Sequence, residues 1–86
     1  MPRISEFLGI VMYMYHDDHM PPHCHAVYAG IDLQVRFAGE IEIVGDFPVR
    51  QARLVREWAE LNRASLVENW GLAAEFQGLK RIAPLA

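Results

Sequence analysis

Four histidines crowd into the stretch YHDDHMPPHCHAVYAG, from Tyr15 to Gly30, and the 86-residue chain has no others. Two aspartates, two prolines and the single cysteine lie among them. Imidazole is the commonest metal ligand and the usual proton carrier near neutral pH, so this segment is where chemistry would reside. His23 and His25 form a His-x-His pair. In an extended strand such residues point the same way, about 7 Å apart along the backbone, a gap that two rings can close on one ion. A zinc-type site needs a third protein ligand, and His19, His16, Asp17, Asp18 and Asp32 are the candidates. The candidate metal set is therefore His19, His23 and His25, with a divalent ion such as zinc as the possible cofactor.

Two other readings use the same residues. In a metal-free phosphodiesterase or ribonuclease-type reaction, His23 and His25 would serve as base and acid, with Arg36 stabilising developing anionic charge. Alternatively, the segment orders itself. Asp18, His19, Pro21, Pro22 and Tyr28 would then shape a loop through side-chain to backbone hydrogen bonds and present a polar patch to a partner.

The elements that must position these side chains can be read from periodicity. HCHAVYAGIDLQVRF contains two strand-like runs around Ala29-Gly30, a hairpin signal. In the second run Ile31, Leu33, Val35 and Phe37 alternate with Asp32, Gln34 and Arg36. A two-residue loop at Ala29-Gly30 sets Tyr28 opposite Ile31, Ala26 opposite Leu33 and Cys24 opposite Val35 on the core side. His25 then faces Gln34, His23 faces Arg36 and Val27 faces Asp32 on the other side, and Cys24 is no ligand.

Phe7 to Tyr15 is apolar at nearly every position and reads as one central strand. EIEIV, reached through Ala38-Gly39, is a further short strand. Asp46, Phe47 and Pro48 open a helix whose Leu54, Val55, Trp58 and Leu61 recur at helical spacing. Ser65 and Glu68 have capping-box spacing, so a second helix is expected from about Ser65 to Gly78; one bent helix is the alternative. The tail LKRIAPL could add a short strand, limited by Pro84. The expectation is a single α+β domain over residues 1–86: a small antiparallel meander of three to five strands, with one or two helices from the C-terminal half on one face.

Composition bounds the rest. Hydrophobic residues make up 52% and charged residues 22%, as in folded globular chains. A lone cysteine excludes an internal disulfide framework and fits a reducing compartment, so a cytoplasmic protein is expected. MPRISEFLGIVMYMY superficially resembles a signal peptide, but Ser5 and Glu6 interrupt it and HDDH stands where a cleavage site should be; no membrane anchor is expected. A net charge of −3 argues against a broad nucleic-acid footprint. Arg50, Arg53, Arg56 and Arg63 could still meet RNA, although Arg53 with Glu57 and Arg56 with Glu60 have the spacing of solvated helical pairs.

MPRISEF, GIVMYMYHDDHMPPHCHAVYAG, GDFP and LVENW together resemble the small bacterial family called domain of unknown function 4160, over essentially the whole chain. The family pattern of Asp-His, one residue, Pro-Pro-His, one residue, His-Ala and a Tyr corresponds here to Asp18, His19, Pro21, Pro22, His23, His25, Ala26 and Tyr28. His16 stands at a variable position, which lowers it as a ligand. The resemblance implies a compact prokaryotic protein, often encoded beside another small domain, in an arrangement like a toxin-antitoxin pair. It supplies no agreed activity and implies a small protein partner, or self-association, more than an enzyme.

Overall fold

The computed structural model describes residues 2–85. Five strands, β1 (Arg3–Phe7), β2 (Ile10–Tyr13), β3 (His23–Tyr28), β4 (Ile31–Arg36) and β5 (Glu42–Val44), precede two helices, α1 (Val49–Leu61) and α2 (Arg63–Ala74). The strands form one antiparallel sheet in the order β1-β2-β3-β4-β5, a meander in which each strand pairs with its sequence neighbour. This is the α+β class that the alternating front half and helical back half imply. No helix among the described residues is long and apolar enough to cross a membrane.

The β3–β4 hairpin turns on Ala29 and Gly30, both at positive φ (50° and 80°), the geometry that matches the right-handed twist of the flanking strands. All six expected pairs form, from His23 opposite Arg36 to Tyr28 opposite Ile31. The run from Phe7 to Tyr15 is not one strand. A second turn of the same kind, at Leu8 (φ 51°) and Gly9 (φ 81°), closes a β1–β2 hairpin in which Phe7 opposes Ile10. β2 ends at Tyr13 and lies inside the sheet, alternating buried and half-buried residues rather than being covered on both faces.

One sheet face carries the core. Ile4, Ile10, Met12, Cys24, Ala26, Leu33 and Val35 meet Val55, Trp58, Ala59, Leu66 and Ala73 of the helices. Burying each large side chain here stabilises the fold by about 1.5–3 kcal/mol. α1 follows Pro48 at the N-cap, which has no N–H of its own to satisfy, and no side-chain bond caps the helix. The expected capping box is not what starts α2. That helix begins at Arg63, two residues before Ser65, because Asn62 joins the helices: its backbone N–H and its amide nitrogen both donate to Trp58 O, while its own carbonyl accepts from Leu66 N–H. α2 ends at Ala74, not near Gly78.

The tail forms no strand, yet it is tied down. Asn69, buried on α2, donates to Lys80 O and accepts from Lys80 N–H, both at 2.9 Å. Ile82 N–H donates to Ile4 O, and Trp58 Nε1–H donates to Ala83 O. Arg56 and Arg63 reach back across the connection before β5, to Ile41 O and to the carbonyls of Phe37 and Gly39. Arg56 thus holds a loop rather than forming the expected pair with Glu60, which instead lies 3.5 Å from Arg63.

Candidate metal centre

β3 carries two of the functional side chains and the loop before it carries the third. His23 and His25 point to the same side of β3, away from Cys24, which sits in the core with its thiol pushed up to about 12 by burial. The loop of residues 14–22 is held at one end by Phe37 N–H donating to Pro22 O, and in its middle by Asp17 N–H donating to Ala73 O on α2. His16 belongs to that outer anchorage. Its Nε2 lies 2.9 Å from Gln77 O and its ring stacks on Phe76, so it takes no part in the site. Trp70 of α2 lies against both Phe37 and His23 and closes this end of the sheet.

With the loop so placed, the Asp18 carboxylate projects onto the two imidazoles. Its Oδ2 lies 3.0 Å from His23 Nε2 and 3.5 Å from His25 Nε2. One ligand atom from each of Asp18, His23 and His25 falls within 4.8 Å of the others. Four ligands arranged tetrahedrally at about 2.0–2.1 Å from zinc stand roughly 3.3 Å apart, which the two measured separations bracket.

The far side of each ring fixes which nitrogen faces Asp18. His23 Nδ1 lies 2.7 Å from Pro21 O, and a carbonyl can only accept, so Nδ1 carries the proton. His25 Nδ1 lies 3.3 Å from Asp32 Oδ1, with the same consequence. With Nδ1 so engaged, each ring in its neutral form presents the Nε2 lone pair towards Asp18. Both Nε2 atoms are buried and have no hydrogen-bond partner: although the distance to Asp18 is short, the alignment is not that of a hydrogen bond. In that form two ring nitrogens and a carboxylate oxygen, all acceptors, lie within 4.8 Å of one another. A single proton bridges at most two of these atoms, whereas a metal ion can bond to all three. Outer-shell carbonyl and carboxylate partners on Nδ1 are what metal-ligating histidines ordinarily have.

Asp18 is turned both ways. Oδ2 faces inward, while Oδ1 accepts the His19 backbone N–H at 2.8 Å and lies 2.9 Å from His19 Nδ1. Burial pushes its carboxyl up; the His19 N–H bond, the attraction of the His23 and His19 rings in their protonated form and the contact with His25 together outweigh this and hold it below the usual carboxylate range. His19 itself is largely exposed, its ring 5.3 Å from that of His23, and it supplies no atom to the three-ligand group. Asp18 stands in the third position instead.

The other expected site residues are placed as follows. Asp32 orients His25 from outside. Pro21 and Pro22 contribute their carbonyls, one to His23 and one to Phe37. Arg36 sits opposite His23, its guanidinium directed to Gln34 (3.3 Å) and lying 3.7 Å from Glu42. Tyr28 is remote, packed on Phe47 and accepting from Gln51. Sequence reasoning missed Trp70 as the wall behind His23, reading it only as core; the ring of Tyr15 meets His25 edge-on at 4.6 Å. Tyr15 carried a usable signal, since it stands two residues beyond Tyr13, which pairs with His25.

The sequence model of a domain of unknown function (DUF4160) matches residues 9–71, a span that contains the whole of this site. No curated protein and no solved structure matches the chain.

Proposed function

The chain belongs to the DUF4160 family, and from the geometry of its site we propose that it is a histidine-centred, divalent-metal-dependent hydrolase of the phosphodiesterase type. The observation that carries this reading is the pair of buried, partnerless Nε2 atoms converging with Asp18 Oδ2. Two nitrogens and one carboxylate oxygen suit zinc and its first-row neighbours better than magnesium or calcium, which prefer oxygen ligands. Three protein ligands leave a fourth position for water or substrate, the pattern of catalytic rather than structural zinc. An ion bound there supplies Lewis acidity and lowers the pKa of its water. In the reaction, water oxygen bonds to phosphorus and one P–O ester bond breaks. The departing alkoxide takes up a proton, giving an alcohol and a phosphomonoester. Arg36 pairs with His23 across the hairpin, but its guanidinium is directed to Gln34 and lies beside Glu42, so the charge on the anionic group falls to the ion.

The test uses untagged protein. Zinc content is measured after dialysis, and cleavage of bis(4-nitrophenyl) phosphate and of an RNA oligonucleotide is followed for the wild type and for His23→Ala/His25→Ala. One zinc per chain, with phosphodiester cleavage that the double variant loses, supports the reading. Absence of zinc uptake, or activity unchanged in the variant, overturns it.

A second reading rests on a different observation. The helices pack on one sheet face, and on the other Val11, Tyr13 and Val27 stay half-buried without a covering helix. That face suits an interaction module of a toxin-antitoxin-like pair, binding a small protein partner or a second copy. Light scattering of the protein alone and with the product of the adjacent gene tests it; a strict monomer that forms no complex excludes it.

A further inference from the structure

A small hollow of about 100 Å³ opens beside the three-ligand group, lined by Asp18, Met20, Trp70, Ala73 and Ala74. Asp18 belongs to both, so the hollow and the ion position share a wall. The remaining lining is apolar, and the Trp70 ring that borders it also packs on His23, with centroids 5.4 Å apart. Ala73 and Ala74 leave the space open because each ends at Cβ. Met20, which also lines the hollow, is 69% exposed.

Resting on the metal reading above, we propose that this hollow receives a small apolar or single-ring substituent of the phosphoester held at the ion. Volume sets the class of substituent. An enclosed apolar cavity of about 150 Å³ admits a whole benzene ring. A hollow two-thirds that size and open on one side takes most of one ring or a short aliphatic chain, and is too small for a purine. Charge points the same way. Arg3 lies 2.9 Å from Glu6 and Arg36 lies 3.7 Å from Glu42, so each of these cations already has a carboxylate beside it. A long polyanion would find little uncompensated positive charge among them, whereas a small phosphoester needs only the ion and the hollow. Trp70 and Met20 thereby become the specificity-determining residues.

The experiment compares two non-hydrolysable anions that differ only in the ring, phenylphosphonate and methylphosphonate. Each is titrated into the full chain after its zinc content has been measured, with the Trp70 and Trp58 indole N–H resonances followed by NMR. Phenylphosphonate is expected to bind about tenfold more tightly, equivalent to ~1.4 kcal/mol, and to shift the Trp70 signal while leaving Trp58, whose indole N–H is bonded to Ala83 O, in place. Ala74→Phe, at an exposed helix end, fills the hollow without disturbing the core. It should abolish the tenfold preference while leaving zinc content and methylphosphonate affinity unchanged. Met20→Ala should weaken phenylphosphonate alone. Equal affinities in the wild type, or a preference that survives Ala74→Phe, overturn the proposal. Failure to take up zinc overturns the metal reading instead; the hollow then stands or falls on whether phenylphosphonate still shifts Trp70.

Discussion

Replacing Asp18 by asparagine separates the ion from every metal-free explanation of the site. The side chains are isosteric. Oδ1 can go on accepting from His19, while an N–H donor takes the place of the Oδ2 that faces the two Nε2 atoms at 3.0 and 3.5 Å. A buried acceptor left unpaired costs about 1–3 kcal/mol, so a donor there relieves part of that cost. Against this, the His19 bond changes from charge-assisted to neutral, a loss of roughly 1 kcal/mol. The net expectation for metal-free protein at pH 8, where imidazole is ordinarily neutral, is a gain of about 0–2 kcal/mol. For a domain of this size that raises Tm by up to roughly 16 °C. Zinc reverses the order. At a hundredfold excess over its Kd an ion stabilises the wild type by about 2.7 kcal/mol, or roughly 11–20 °C, and a carboxamide that ligates poorly should lose most of that shift. The assay is differential scanning calorimetry of both proteins, with and without zinc. A metal-free Asp18→Asn protein melting more than about 6 °C below wild type, with zinc shifts equal in the two, would refute the reasoning: a carboxylate–imidazolium pair, not an ion, would then hold the site together.

Three further outcomes follow from the fold. Leu8 takes φ 51° in the β1–β2 turn while its side chain is exposed, so Leu8→Asn, suited to that conformation, should stabilise by up to about 1 kcal/mol in urea denaturation; a loss of stability would contradict the turn. Cys24, with its thiol raised to about 12, holds its proton in the folded state over a range where the unfolded thiol, near 8.5, has lost it. The unfolded state therefore binds fewer protons, and wild-type stability should fall above about pH 8.5, approaching ~1.4 kcal/mol per pH unit, a slope that Cys24→Ala should lack. Asn69→Ala removes both hydrogen bonds to Lys80 and leaves backbone groups of the tail unpaired, at a cost of about 2–4 kcal/mol by equilibrium unfolding; a loss under 1 kcal/mol would mean that the tail is held by its apolar residues alone.

The half of the site borne by a regular element was legible in the sequence, and the half borne by a loop was legible only as a set of candidates. Alternation from Ile31 to Phe37 and a two-residue Ala-Gly turn set the β3–β4 register, and with it the core and outer sides of the hairpin; a one-residue bulge would have exchanged the two faces. Asp18 was one of several possible third ligands. What selects it over His19 is the path of residues 14–22, set by the contacts of Asp17 with Ala73 and Pro22 with Phe37, long-range bonds that no local pattern encodes. The β1–β2 turn was hidden by apolarity: Leu8 offers no turn signal, and Gly9 alone could not divide a run that otherwise reads as one strand. Ser65 and Glu68 misled because capping-box spacing states only what a helix start could use, whereas Asn62 had already joined α2 to the end of α1. Asn69 and the tail it holds are tertiary features, and neither residue type nor spacing announces them.

The central claim is that Asp18, His23 and His25 hold one ion. X-ray absorption spectroscopy at the zinc edge of untagged protein loaded with a single equivalent tests it most directly, read alongside the same spectrum for His23→Ala/His25→Ala. The account predicts a four-coordinate site with two imidazole nitrogens at about 2.0–2.1 Å and oxygen ligands at about 2.0–2.2 Å, with no sulfur shell, since Cys24 lies in the core. The imidazole scattering should vanish in the double variant. A spectrum of hydrated zinc in the wild type, or an imidazole signal that persists after both histidines are gone, would contradict it.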